Sequence, residues 1–343
     1  MQQPTIWILK QQPCCVMRLQ HLKKKAKKLQ KRSKMPSMQI QENVLLAPHT
    51  TFQIGGTAAY FVEVTTEDEL REALAWAREK KVPFALLGGG SNVLASDEGF
   101  DGLVIHIVSN SMRQDSDLLT LDAGRNLLHS IRDAAQAGLG GWEKLAGIPG
   151  TVGGAARGNA GAFGAEMKDF VTKIRALNTE TGEINEFSNA ECAFGYRQSY
   201  FKHHPQWAIV LVEVRLSAVE SSTALAAIET TITEREKRHL QNVRAAGSYF
   251  MNPVAPAHIV ALFEQEKGVQ SRENRVPAGW LIEKAGFKGA MFGGAQASMQ
   301  HPNYLVNASG EATAAEVLEL ADTIKEAVRE QFGVELHEEA AFL

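Results

Sequence analysis

"FALLGGGSNVLASDEGF", residues 84–100, carries an apolar run into three consecutive glycines and then turns polar and acidic. The plain reading is a buried strand ending in a tight loop, because glycine adopts backbone angles that a Cβ disfavours. The sharper reading is that the triplet lets backbone N–H groups close on a pyrophosphate. This stretch alone leaves both open.

Upstream, "AAYFVEV" (58–64) alternates as a strand. Thr66 and Glu69 have capping-box spacing, and Leu70, Ala73, Leu74 and Ala77 follow at helical intervals. The unit is therefore β-α-β, with the glycines at a strand's carboxyl end. Downstream, strands are predicted over "GLVIHI" (102–107) and "LLTLDAG" (118–124), and Gly138 stops a helix over "NLLHSIRDAAQAG". "LAGIPGTVGGAARGNAGAFG" (145–164) then holds seven glycines in a chain otherwise well patterned. They would weaken any helix or strand, so close backbone approach to a large ligand is expected there. No Gly-x-Gly-x-x-Gly occurs, since Gly138 and Gly140 begin one that Glu143 breaks, and a Rossmann site is disfavoured.

"VTKIRALN", "GEINEFS" and "WAIVLVEVRL" read as strands of a second sheet. Helices are predicted over 223–239 and 257–267. A last one opens with the capping box Thr313 and Glu316, buries Val317, Leu320, Ala321, Ile324 and Val328, and closes at Gly333. The ending "VELHEEAAFL" is short and strand-like. The expected division is a basic extension over 1–37, a first lobe over 38–105, a second over 106–217, and a third domain over 218–343 whose tail returns to the active site.

The net charge of −3 conceals an asymmetry. Residues 1–37 carry ten Lys and Arg and no acid, which leaves −13 on the rest. An acidic body argues against a nucleic-acid partner for the folded part. A lone basic block is expected to be a disordered, solvated tail, and Met35 and Met38 stand where the globular pattern begins. The apolar "TIWIL" precedes the charges, the reverse of a secretory leader. No run of about 18 apolar residues suggests a membrane span. Two of the three cysteines, Cys14 and Cys15, are adjacent in the extension, and Cys192 is the third, so a reduced, cytoplasmic setting fits. The scattered histidines form no metal-binding pattern, and no metal is expected.

Six segments in order, "TTFQIGGTAAYFVE", "LGGGSNVLASDEGFDGLVI", "AGIPGTVGGAARGNAGAFG", "FGYRQSYFK", "AGSYFMNP" and "PAGWLIEKAGFKG", resemble the UDP-N-acetylenolpyruvoylglucosamine reductases of peptidoglycan precursor synthesis. The resemblance runs from about residue 43 to 343. It implies an α+β chain: a two-lobed α/β FAD-binding fold of the vanillyl-alcohol-oxidase (PCMH) type, plus a C-terminal α/β substrate-binding domain. It also implies cofactor contacts from Thr51, Ile54, Gly55 and Gly56. Further contacts would come from Gly88, Gly89, Gly90, Ser91 and Asn92, and from Gly147, Ile148, Pro149, Gly150, Gly153, Gly154, Asn159 and Gly161. Ser91 and Asn92 stand where some oxidases of this fold attach flavin through histidine or cysteine, so the FAD is expected to be noncovalent.

The implied activity takes reducing equivalents from NADPH through FAD to UDP-N-acetylglucosamine enolpyruvate. Hydride goes to the methylene carbon and a proton to its neighbour, so negative charge builds toward the substrate carboxylate. Such chemistry needs a proton donor and a charge stabiliser. By resemblance Ser248 is the donor and Arg197 the stabiliser, with Tyr196, Arg197 and Asn252 as substrate contacts. Glu339 is the catalytic carboxylate, although His337, Glu338 and Ala341 depart from the family's ending and make Glu338 a rival. Lys202, Arg238 and Arg244 are candidates for the UDP phosphates. The 51 positions from Arg197 to Ser248 match the type II form, which lacks a tyrosine lid loop. A monomer is expected. The other open readings are a different FAD-linked oxidoreductase of this fold and a catalytically silent flavoprotein.

Overall fold

The computed structural model describes residues 38–238, the side chain of Arg238 excepted, and 243–343. The basic extension, 1–37, lies outside the described residues.

The first lobe is a four-stranded sheet of β1 (Gln41–Leu45), β2 (Thr57–Val64), β3 (Phe84–Leu87) and β4 (Phe100–Ile107), in the order β1-β2-β4-β3. β1 is antiparallel to β2, whereas β2 and β3 both run parallel to β4. Parallel neighbours need a crossover, and helix α1 (Glu67–Lys80) supplies it. The Thr66 hydroxyl caps α1 by accepting from the Glu69 N–H at 3.2 Å. The Glu69 carboxylate reaches back to Thr65, accepting from its N–H at 2.6 Å and its hydroxyl at 2.7 Å. The predicted residues Leu70, Ala73, Leu74 and Ala77 are buried.

The second lobe contains β5 (Met112–Asp115), β6 (Leu118–Asp122), α2 (Leu127–Gln136), α3 (Val152–Arg157), β7 (Val171–Asn178), β8 (Ile184–Ser188), β9 (Trp207–Arg215) and α4 (Ser221–Arg238). Its sheet has the order β8-β7-β9-β6-β5 and every pairing is antiparallel. Leu119, Leu121, Trp142, Ile174 and Val212 form its core, joined by Ala224 and Ile228 of α4. Helix α4 therefore packs with this lobe, although its sequence position follows the predicted boundary at 217. The short helix α3 forms inside the glycine-dense segment, where regular structure was not expected; Thr151 caps it by accepting from the Gly154 N–H at 3.2 Å.

The remainder holds α5 (Ala257–Lys267), α6 (Ala278–Lys284), the antiparallel strands β10 (Met291–Phe292), β11 (Ala295–Ala297) and β12 (Leu305–Asn307), and α7 (Ala314–Phe332). The expected capping box of α7 is present in both directions. Its N-terminal N–H groups also donate to Asp97 of the first lobe, Ala314 at 2.7 Å and Ala315 at 2.9 Å. Val317, Leu320, Ile324 and Val328 bury its inner face, at roughly 1.5–3 kcal/mol per large aliphatic side chain. Phe52, Ile54 and Leu94 of the first lobe belong to the same apolar cluster. The tail ends as β13 (Ala341–Phe342), parallel to Val93 and Leu94 just beyond the glycine triplet.

Candidate active site

A cavity of about 1200 Å³ opens between the two lobes and the C-terminal domain. Gly88, Gly89, Gly90, Ser91 and Asn92 line it from the first lobe, and Gly147, Ile148, Pro149, Gly150, Gly153 and Gly154 from the second. The two glycine clusters lie against each other. A Cβ on Gly89 would stand 3.0 Å from the Gly150 Cα, and the Ser91 hydroxyl donates to the Pro149 carbonyl at 3.1 Å. Gly90 has φ +60°, and a Cβ there would strike the His49 carbonyl at 2.0 Å. Thr51 secures the loop, its N–H donating to the Gly90 carbonyl at 3.1 Å and its hydroxyl to that of Ala245 at 2.7 Å. Thr51 and Gly161 line the cavity as well.

Four other residues expected at the cofactor fold the cradle without lining it. Ile54 is 3% exposed, inside the apolar core. A Cβ on Gly55 would meet Ala95 Cβ at 2.7 Å, and one on Gly56 would meet the Asp97 carbonyl at 2.1 Å, so these glycines let two loops pack. Asn159 is buried; its amide donates to Glu166 and to the Gly195 carbonyl, both at 2.8 Å, while its oxygen accepts from the Lys168 N–H at 3.0 Å.

At the other end, Arg197, Ser248 and Glu339 line this same cavity, with Tyr196 and Asn252. Arg197 sits in a turn closed by mutual backbone hydrogen bonds between Gly195 and Gln198, at φ +56°, which is uncommon for a residue with a side chain. Its Nε is 2.8 Å from Glu339 Oε1, its Nη2 donates to the Gly161 carbonyl at 3.0 Å, and its own carbonyl accepts from Lys202 Nζ at 3.0 Å.

The tail brings Glu339 there. Residues 337–339 run beside 249–251: the Met251 N–H donates to the His337 carbonyl at 2.9 Å, and the Glu339 N–H to the Tyr249 carbonyl at 2.8 Å. Asn92 Nδ2 donates to the Glu339 carbonyl at 2.9 Å, which joins the tail to the glycine loop. Neighbours in an extended segment point to opposite sides. Glu339 thus faces the cavity, whereas Glu338 turns outward to Lys325 Nζ at 2.8 Å. Of the two carboxylates, the alternation puts Glu339 on the cavity side and Glu338 away from it.

Burial pushes the Glu339 carboxyl above its ordinary value, and the positive charges of Arg197 and Lys202 oppose the shift. Burial lowers Lys202; Arg157 and Arg197 act in the same direction, and Glu339 against it. Sequence reasoning missed Arg157, Arg235 and Tyr304, which also line the cavity. Burial depresses both arginines, and Arg235 Nε, itself buried, has no hydrogen-bond partner among the described residues. Of the proposed phosphate contacts, Lys202 lines the cavity, Arg244 does not, and the Arg238 side chain lies outside the described residues.

The sequence of domains has known counterparts. A family model for the C-terminal domain of UDP-N-acetylenolpyruvoylglucosamine reductase matches residues 238–343, and one for an FAD-binding domain matches 58–188. A reductase of that name from Solibacter usitatus is 35% identical over 320 residues, covering 90% of this chain and 98% of the relative. The chain belongs to the UDP-N-acetylenolpyruvoylglucosamine reductase family. Another such reductase, from Pseudomonas savastanoi, is 36% identical over 340 residues, 88% of this chain and 98% of that one. The crystal structure of the Thermus caldophilus reductase gives a TM-score of 0.70 at 32% identity, covering 89% of this chain and 99% of that chain.

The fold of this reductase-family chain is the expected two-lobed FAD-binding unit followed by a C-terminal domain. FAD suits the cavity on its own geometry. The N–H groups of Gly89, Gly90, Ser91 and Asn92 donate to none of the described residues, so a run of backbone donors is left for a pyrophosphate. The volume exceeds the roughly 300–1,000 Å³ of common ligand pockets, as a dinucleotide with a second substrate requires. Among the described residues no cysteine or histidine lines the wall. Among them, too, no group of three or more His, Cys, Asp or Glu could hold a metal ion, and no helix is long and apolar enough to cross a membrane.

Proposed function

We infer that this reductase-family chain uses NADPH and FAD to reduce UDP-N-acetylglucosamine enolpyruvate to UDP-N-acetylmuramate, a step in building peptidoglycan and hence in cell shape and division. The observation that carries the reading is the Arg197–Glu339 contact of 2.8 Å in the cavity that Ser248 and both glycine loops also line.

Bound against the glycine loops, FAD supplies the two-electron relay between NADPH and the enolpyruvyl double bond. Thr51, the residues 88–92, Gly147, Ile148, Pro149, Gly150, Gly153, Gly154 and Gly161 hold it. Arg197 presents its guanidinium to the substrate carboxylate and stabilises negative charge as it develops there. Glu339 fixes that guanidinium, and the Gly161 carbonyl limits its rotation. Ser248 holds the proton that reaches the carbon beside the carboxylate. A hydroxyl is a weak acid, so it serves only where a strongly basic carbon forms next to it. Tyr196 and Asn252 contact the substrate. Lys202, Arg157 and Arg235 bring positive charge to a wall in which Glu339 is, among the described residues, the one acidic side chain, and a nucleotide diphosphate is the complementary ligand.

The proposed domain limits follow the packing. The first lobe extends through β4 to residue 107, and the second through α4 to 238, because Ala224 and Ile228 complete its core. The 51-position spacing supports the type II form. We place the enzyme in the cytoplasm as a monomer, where its nucleotide-linked substrates are made.

The test is anaerobic spectroscopy. NADPH should bleach the flavin absorbance, and UDP-N-acetylglucosamine enolpyruvate should restore it in one turnover. Recovery with oxygen alone, and none with the enolpyruvyl substrate, would instead favour an oxidase.

A further inference from the structure

Arg275 does not line the cavity, yet it touches both sides of the seam that the proposed chemistry crosses. Its guanidinium carbon lies 4.3 Å from the centroid of the Tyr196 ring, and its Nη1 donates to the Asn252 carbonyl at 2.9 Å. Tyr196 closes the triangle, its hydroxyl accepting from the Asn252 N–H at 3.3 Å. Arg197, the next residue, holds its own guanidinium carbon 5.2 Å from the same ring. Tyr196 and Arg197 belong to the second lobe, Asn252 and Arg275 to the C-terminal domain.

Both sides of this contact are backbone-strained. Arg197 has φ +56°, and the turn before Arg275 places Glu273 and Asn274 at +55° and +57°. Asparagine tolerates that region, whereas glutamate seldom enters it. Such strain persists only where the surroundings impose it, and it gathers where a side chain must be aimed. Here the Arg275 N–H donates to the Arg272 carbonyl at 2.9 Å and closes the turn. The segment after Asn252 then clamps it, with the Ala255 N–H on the Asn274 carbonyl at 2.9 Å and the Val276 N–H on that of Pro253 at 3.0 Å. Glu273 also approaches Arg275, at 3.5 Å, but its side chain is 75% exposed and such a pair directs little. The ring and the carbonyl set the orientation, and a planar guanidinium can stack on one while donating to the other.

We propose that Arg275 is a positioning residue: stacked on Tyr196 and bonded to the Asn252 carbonyl, it locks the Tyr196–Arg197 turn against the C-terminal domain and so sets Arg197 opposite Glu339. Only the kinetic consequence rests on the reductase reading; the locking does not.

The test compares Arg275→Met and Arg275→Lys, each alone and in a Tyr196→Leu background, by hydrogen exchange and by steady-state kinetics. For Arg275→Met, amides of residues 194–199 should exchange on the order of tenfold faster, with or without flavin, while helix α7 is unchanged. The kcat with the enolpyruvyl substrate should fall about tenfold with KM within about threefold, and lysine should restore part of it. In the Tyr196→Leu background, Arg275→Met should add less than about a twofold loss, because the two residues act as one unit. Unchanged exchange with multiplicative losses would overturn the proposal. So would a raised KM at constant kcat, which would make Arg275 a direct substrate contact. Should the methionine variant fail to fold, the lysine variant must still show a partial rise in exchange at 194–199. If no variant and no parent turns over the enolpyruvyl substrate, the reductase reading fails and the exchange measurement alone decides the positioning role.

Discussion

Arg197 Nε and Glu339 Oε1 stand 2.8 Å apart, one from a strained turn of the second lobe and the other from the tail of the C-terminal domain. Each side chain is 21% exposed, so the pair is largely removed from water. Breaking a buried pair by removing one partner costs more than breaking a surface one, because the remaining charge is left uncompensated.

Glu339→Gln is therefore expected to lower kcat with the enolpyruvyl substrate by about 10²–10⁴, the range of a lost acid–base or charge-positioning group. Glu338→Gln removes only the half-exposed contact with Lys325. It should leave kcat within about threefold and cost roughly 0.2–1 kcal/mol of stability. Steady-state kinetics and denaturant melts of the two variants side by side check this.

The acid dependence of stability should carry the signature of Glu339. Burial raises its folded-state affinity for a proton above the ordinary value of 4.5. Between that value and the raised one, the native chain keeps a proton that the unfolded chain has released. Stability then falls as pH rises through that interval, since the native state binds more protons there. Glu339→Gln should remove that part of the slope from flavin-free protein, whereas an unchanged slope would place the carboxylate in water.

Gly90 and Gly268 share nearly the same left-handed φ, +60° and +65°, but a Cβ on Gly90 meets the His49 carbonyl and one on Gly268 meets open space. Gly268→Ala should cost only the backbone penalty of about 1–2 kcal/mol and retain flavin. Gly90→Ala should cost more and lose flavin on gel filtration. Equal behaviour of the two would mean that the glycine triplet serves only as a turn.

Much of this was legible in the sequence, for identifiable reasons. "VTKIRALN" and helix α5 are bounded as the residues predict, because period-2 and helical apolar patterns report local geometry directly. Helix α3 was hidden, since Gly153 and Gly154 lower helical propensity and only packing around Val152 and Ala156 overrides it. Gly55, Gly56 and Asn159 matched a cofactor motif but hold loops together, a distinction that needs the partners in space. Tyr304 reaches the cavity from a segment distant in the chain, whereas Arg157 stands at the end of α3, inside the glycine-dense segment itself. Arg235 was the readable omission: it follows Ala224, Ile228 and Ile232 on the apolar side of α4, where a charged residue needs a reason.

Ser248 lies in the wall shared by the glycine loops, Arg197 and Glu339, and anaerobic single-turnover absorbance of Ser248→Ala tests its role as proton donor. NADPH should bleach the flavin of this variant at the parent rate, and UDP-N-acetylglucosamine enolpyruvate should then restore its colour at least about 10²-fold more slowly. Restoration at the parent rate, or equal slowing of both steps, would contradict that role.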